Sequence, residues 1–120
     1  MSCKVILTDS FKRDAKKLAK KYRSLGQDIR LLVDELQNDP YLGNRITPNV
    51  YKARIAIKSK GRGKSGGGRV VYYVNLTIEE NNNEDINIYL LAIYDKSVMN
   101  NIPTYIIDSL IRDSGITEEE

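Results

Sequence analysis

The sequence predicts a single α+β domain in the order β-α-α-β-β-β-α. An antiparallel sheet packs on an N-terminal helix hairpin, and a C-terminal helix follows. Three observations lead there. Apolar residues recur at helical spacing in two stretches ahead of Pro40 and again after Pro103. They alternate along three stretches between Val50 and Tyr94, the period of a strand. Turn-forming residues fall between these stretches, at Gly26, Asp39-Pro40, 61–68 and 79–85. A chain of 120 residues with a 41% hydrophobic share suits one modest core, so residues 1–120 are read as one domain.

Val5, Ile6 and Leu7 form a short first strand. Thr8, Asp9 and Ser10 offer N-caps to a helix whose apolar stripe is Phe11, Ala15, Leu18, Ala19 and Tyr22. Its other face carries Lys12, Arg13, Lys16, Lys17, Lys20, Lys21 and Arg23. Gly26 is expected to end this helix through its access to positive φ. A second helix over 28–38 buries Ile29, Leu32, Val33 and Leu36 and stops at Asp39-Pro40, where proline lacks an amide donor. The short turn between the helices predicts an antiparallel hairpin. Residues 41–49 read as a connector. In the strand over 50–58, Tyr51, Ala53, Ile55 and Ile57 face the hairpin, while Lys52, Arg54, Ala56 and Lys58 point away. Strands over 69–76 and 86–94 follow, the second apolar on both sides and therefore central. Pro103 opens the last helix, Ile106, Ile107, Leu110 and Ile111 give its apolar face, and Gly115 ends it. Residues 116–120 are expected to be a frayed acidic tail. The sheet face away from the hairpin is expected to be partly open.

The net charge of +3 conceals a segregation: residues 1–69 sum to +11 and residues 70–120 to −8. Between positions 52 and 69 stand Lys52, Arg54, Lys58, Lys60, Arg62, Lys64 and Arg69, with no Asp or Glu among them. Five of the eight glycines lie in the same interval. The pattern is two strands joined by a long, basic, glycine-rich loop. Cations that nothing neutralises repel one another, so the stretch suits a polyanionic partner. Two ordinary solvated faces are the plainer alternative.

Several chemistries are excluded. Gly63-Lys64-Ser65 resembles the end of a phosphate-binding P-loop, but the required leading glycine is Lys58. Gly61-x-Gly63-x-x-Gly66 matches a dinucleotide motif that must lead into a helix, and here it leads into the strand opened by Arg69. With no histidine, one cysteine (Cys3) and acidic residues scattered without ligand spacing, a metal site has almost no support, and no imidazole exists to serve a serine or thiol nucleophile. No cofactor is expected. No apolar run reaches the ~20 residues of a membrane span. Without an export signal or a cysteine pair, a cytoplasmic protein is expected.

RNA cleavage can run on what remains. A base takes the proton of the ribose 2′-OH, the oxygen attacks the adjacent phosphorus, and an acid protonates the departing 5′-oxygen. Guanidinium groups suit the charge that develops on the phosphorane oxygens. A lysine crowded by other cations loses some preference for its charged form and can then serve as the base. Lys52, two residues from Arg54 on one strand face, is placed for this, and Arg69 enters from the next strand. A phosphate-binding face without catalysis fits the same residues equally well.

The segment Y-K-A-R-I-A-I-K-S-K-G-R-G-K-S-G-G-G-R-V-V-Y-Y-V, followed by I-Y-L-L-A-I-Y-D-K-S, resembles the RelE/ParE superfamily of type II toxin–antitoxin toxins, nearest the RelE and HigB-like mRNA interferases. The resemblance spans nearly the whole chain. It implies a microbial-ribonuclease-like sheet and an endoribonuclease that cuts mRNA in the ribosomal A site. It also implies a cognate antitoxin as partner, possibly a helix-turn-helix protein, and no membrane. On this sequence the family's catalytic set falls on Lys52, Arg54, Arg69 and Lys96. Lys58, Lys60, Arg62 and Lys64 would grip the RNA backbone, and Tyr94 would stack on a base. The chain departs from the pattern at Ser97, where RelE-type members often carry an arginine, and in its C-terminal segment, where Tyr105 stands near the place of a catalytic tyrosine. A ParE-like gyrase inhibitor or a non-catalytic RNA-binding module would keep the fold without the cleavage.

Overall fold

The computed structural model describes residues 2–116. Three helices pack on a five-stranded sheet, which is the expected α+β class. Strand β1 (Ser2–Leu7) runs into α1 (Asp9–Lys21) through Thr8. The Thr8 hydroxyl accepts from the Phe11 N–H at 3.3 Å and lies 2.7 Å from the Leu90 carbonyl, to which it donates. One side chain thus caps the helix and ties it to the sheet.

Helix α1 ends at Tyr22, four residues ahead of the glycine expected to stop it. Tyr22 turns into extended backbone as its ring enters the core. Burial of Leu25 then starts α2 (Leu25–Asn38) early, which puts Gly26 inside its first turn. The expected connector contains a short strand, β2 (Asn44–Thr47), paired antiparallel with β3 (Val50–Ile55) across a turn in which Asn49 takes φ 70°. Strand β3 is shorter than expected, because the chain leaves it for a single 3-10 turn, Lys58–Lys60. Strands β4 (Gly68–Ile78) and β5 (Glu84–Asp95) form a long hairpin, and α3 (Thr104–Asp113) closes the chain one residue after Pro103. Of the expected acidic tail, residues 117–120 lie outside the described residues.

The strand order is β1-β5-β4-β3-β2, antiparallel throughout except for the parallel pair β1–β5. Strand β5 sits between β1 and β4, and its two apolar sides are covered by the helix hairpin and by α3. The helix hairpin covers one sheet face: Phe11, Leu25, Leu32 and Leu36 pack on Ala53, Ile55, Val70, Tyr72 and Leu90. On the other face Ile107 and Ile111 of α3 pack on Val71, Tyr73, Leu91 and Tyr94. Helix α3 thus covers part of the face expected to be open, and the end carrying Arg54 stays exposed. Among the described residues no helix is long and apolar enough to cross a membrane.

Candidate nucleic-acid interface

Register brings the expected basic residues together on the α3 side of the sheet. Arg54 of β3 lies opposite Arg69 of β4, and Arg69 lies opposite Tyr94 of β5. Lys52 stands two residues from Arg54 and so on the same face. Its Nζ donates to Asn101 Oδ1, 2.8 Å away in the segment between β5 and α3. Arg54 is exposed, and its guanidinium meets no polar partner among the described residues.

Arg69 differs from both. It is 7% exposed, and its guanidinium donates to three carbonyls of the loop ahead of it. Nη1 reaches Gly68 O at 2.8 Å and Lys64 O at 3.1 Å, and Nη2 reaches Ser65 O at 3.2 Å. Three of its five N–H groups therefore hold the loop, and two remain.

Further anchors fix that loop. Gly67 passes so close to β3 that a Cβ there would overlap the Ile55 carbonyl, and its own carbonyl accepts from the Lys96 N–H at 3.2 Å. At the other end buried Asp28 accepts from the Lys58 N–H at 3.1 Å and from the Ser24 hydroxyl at 2.7 Å. Ser24 Oγ also accepts from the Ser59 N–H at 2.8 Å. Two ion pairs complete the attachment: Lys60 with Asp95 at 2.7 Å, and Lys64 with Glu35 at 2.8 Å.

These pairs correct the expectation that nothing neutralises the stretch. The acids come from α2 and from the end of β5. Lys60 is bound to a buried carboxylate. Lys64 is more exposed, so its pair with Glu35 is weak and exchangeable. Lys58, Arg62 and Lys96 are exposed and have no side-chain partner among the described residues.

Cations of both kinds, paired and free, border two shallow depressions. One, of about 310 Å³, is bordered by Lys52, Arg54 and Lys64 beside Gly43 and Asn44. The other, of about 320 Å³, is bordered by Lys60, Arg62 and Lys96 beside Ser65, Gly66 and Ser97.

Tyr94 does not present a stacking surface. It is 6% exposed, packs with α3, and donates its hydroxyl to Asn100 O at 3.3 Å. Burial pushes its phenol above the usual value, and the Arg69 charge partly offsets this. Ser97 turns back to donate to Asp95, 2.7 Å away. Tyr105 is 71% exposed on α3.

Asp95 escaped the reading of the sequence. It is 3% exposed and accepts from Lys60 Nζ, the Tyr22 hydroxyl at 2.6 Å, and both the N–H and hydroxyl of Ser97. Burial alone would raise its carboxyl, but these donors hold it well below the usual carboxylate range. Its signal in the sequence was an acid closing the apolar run of β5. Among the described residues no group of three or more His, Cys, Asp or Glu side chains could hold a metal ion.

The chain matches no protein-family model. Its architecture does match a solved structure: E. coli toxin RelE in the free state, in a form with two arginines replaced by alanine. The TM-score is 0.54 at 12% identity, over 94% of this chain and 98% of that one. This is the RelE fold. The shared architecture includes the sheet on which Lys52, Arg54 and Arg69 stand, and at this identity the likeness is one of fold. On the RelE fold described here, the basic loop is a built structure with carbonyl, carboxylate and hydroxyl anchors.

Proposed function

We propose that this chain is the toxin of a type II toxin–antitoxin system, an endoribonuclease that cleaves mRNA in the ribosomal A site and is silenced by a cognate antitoxin. One observation carries the reading: on a RelE fold, an exposed Arg54, with no polar partner among the described residues, stands across from Arg69 and on one face with Lys52. Lys52 takes the 2′-OH proton or holds the phosphate. The 2′-oxygen bonds to phosphorus, and the bond to the 5′-oxygen breaks. Arg54, with the two remaining N–H groups of Arg69, bears the phosphorane charge. Lys96 gives the departing oxygen its proton. Lys58, Arg62 and, once released from Glu35, Lys64 hold flanking phosphates. The antitoxin, possibly a helix-turn-helix protein, would lay an acidic or helical segment over this basic surface.

The test is purified translation with a defined mRNA. The expected result is message cut at ribosome-bound codons. Intact message at a concentration of protein that blocks growth would rule the reading out.

A second reading, RNA binding without cleavage, is favoured by the engagement of Arg69 with its own loop. Under it, Arg54→Ala weakens RNA binding and there is no cleavage for it to abolish.

A further inference from the structure

Asp95 joins three elements that are distant in sequence. Tyr22 reaches it from the end of α1, Lys60 from the loop between β3 and β4, and Ser97 from the turn after β5. Lys60 Nζ also lies 3.4 Å from the Ser97 hydroxyl. The carboxylate is fully engaged: one oxygen meets Lys60 and Ser97, the other Tyr22. A buried ion pair of this kind fixes geometry more than it adds stability, because desolvation offsets much of the attraction.

What it fixes is the second depression. With Lys60 paired and Ser97 turned inward, Arg62 and Lys96 are its two free cations. Lys96 follows Asp95 directly and is bonded through its N–H to Gly67, at the far end of the same loop. Arg62 follows Lys60 by two residues. Its stem lies over Gly66, where an added Cβ would come within 2.6 Å of the Arg62 Cβ. The lack of a side chain at Gly66 therefore seats Arg62 in place.

We propose that Asp95 is a positioning residue: by binding Lys60 it clamps the glycine-rich loop to the end of β5 and sets Arg62 beside Lys96 as a two-cation phosphate subsite. Lys60, despite its place in the most basic stretch of the chain, is the anchor of that loop and not an RNA contact. The inference rests on the ribonuclease reading for its catalytic consequence, and on geometry alone for the clamp.

The experiment separates the two. A short single-stranded RNA with 2′-O-methyl groups, which cannot undergo 2′-OH attack, is titrated against the protein over a range of salt. Arg62→Ala and Lys96→Ala each lower the salt slope of binding by about 0.7, the value for one lost phosphate contact on a single strand. Lys60→Met lowers it by no more than that, through the loosened seat of Arg62, and adds nothing in an Arg62→Ala background. Amide exchange of 61–67 speeds up in Lys60→Met and in Asp95→Asn, and the double variant is no faster than either single one. Where the wild type cleaves, both variants slow single-turnover cleavage by up to about 100-fold, the scale of a misplaced group. Their affinity for the modified RNA falls no further than that of Arg62→Ala.

A slope lower in the Lys60→Met, Arg62→Ala double variant than in Arg62→Ala alone overturns the assignment of Lys60. Unchanged exchange over 61–67 overturns the clamp. If Asp95→Asn unfolds, Lys60→Met and its exchange pattern still decide. Absence of cleavage by the wild type would refute the ribonuclease reading and leave the exchange and slope results standing.

Discussion

Replacing Arg69 by methionine tests whether this arginine is first a piece of architecture. Methionine keeps most of the apolar stem and removes the guanidinium. Three carbonyls lose a charged donor, a bond type worth about 1.5–3 kcal/mol each. Two of them, on Lys64 and Ser65, belong to exposed residues and can turn to water. The third, on buried Gly68, stays dry, and an orphaned buried carbonyl costs about 1–3 kcal/mol. Relief of the desolvated cation works in the opposite direction. The expected net loss is about 2–4 kcal/mol, a large part of the roughly 5–15 kcal/mol that holds a domain folded. Urea unfolding followed by circular dichroism measures it. With a slope of about 1–3 kcal/mol/M, the midpoint should fall by roughly 1–3 M at unchanged slope. Arg69→Lys should recover only part, since an ammonium cannot reach three carbonyls in a fork. A loss under about 0.5 kcal/mol in a folded Arg69→Met protein would refute the argument. It would mean that the guanidinium leaves the loop and is free for substrate.

Arg54→Ala, at an exposed position with no partner among the described residues, should change stability by less than about 0.5 kcal/mol. It should still lower the salt slope of binding to the 2′-O-methyl RNA by about 0.7, read in the same titration. Tyr72 is fully buried and accepts from the Gly43 N–H at 2.9 Å. Burial pushes its phenol up to about 12, against the pull of that N–H and with a smaller push from Asp39 and Tyr51. A phenol raised in the folded state binds its proton more tightly there. Its contribution to stability is therefore complete below about pH 10 and is lost as pH rises toward about 12. In ultraviolet titration Tyr72 should ionise late, and Tyr72→Phe should remove a late step.

The sheet was legible where one face of a strand is buried and the other is not. The alternation of Ala53 and Ile55 against Lys52 and Arg54 is set by the hairpin on one side, and it survives in the burial of each residue. Strand β2 was illegible for the same reason in reverse. Asn44, Arg45 and Ile46 are all exposed at the sheet edge, so no burial pattern marks them, and backbone pairing with β3 alone makes the strand. The end of α1 was misread because Gly26 carried a local signal while tertiary packing decided the matter. Tyr22 is pulled inward to Asp95 and Leu25 into the core, and the helix breaks between them.

The site was legible as a set of residues but not as a set of states. Counting acids within 52–69 treats charge as a local property of the chain, whereas ion pairs are made between whichever groups the fold brings within reach. Asp95 lies 35 residues from Lys60, and Glu35 lies 29 from Lys64. No window over the sequence pairs them. The same holds for Arg69, whose partners are carbonyls, which composition cannot display at all. Folding thus sorts one basic stretch into two kinds of cation. Lys60 and Arg69 give the loop its shape, while Arg54, Lys58 and Arg62, joined by Lys96 from the end of β5, keep their charge for solvent or a polyanion. A flexible, glycine-rich loop of like charges would otherwise spread to relieve its own repulsion. Holding two of its cations from within allows the others to stand close together in a fixed arrangement, which is what recognition of a phosphodiester requires.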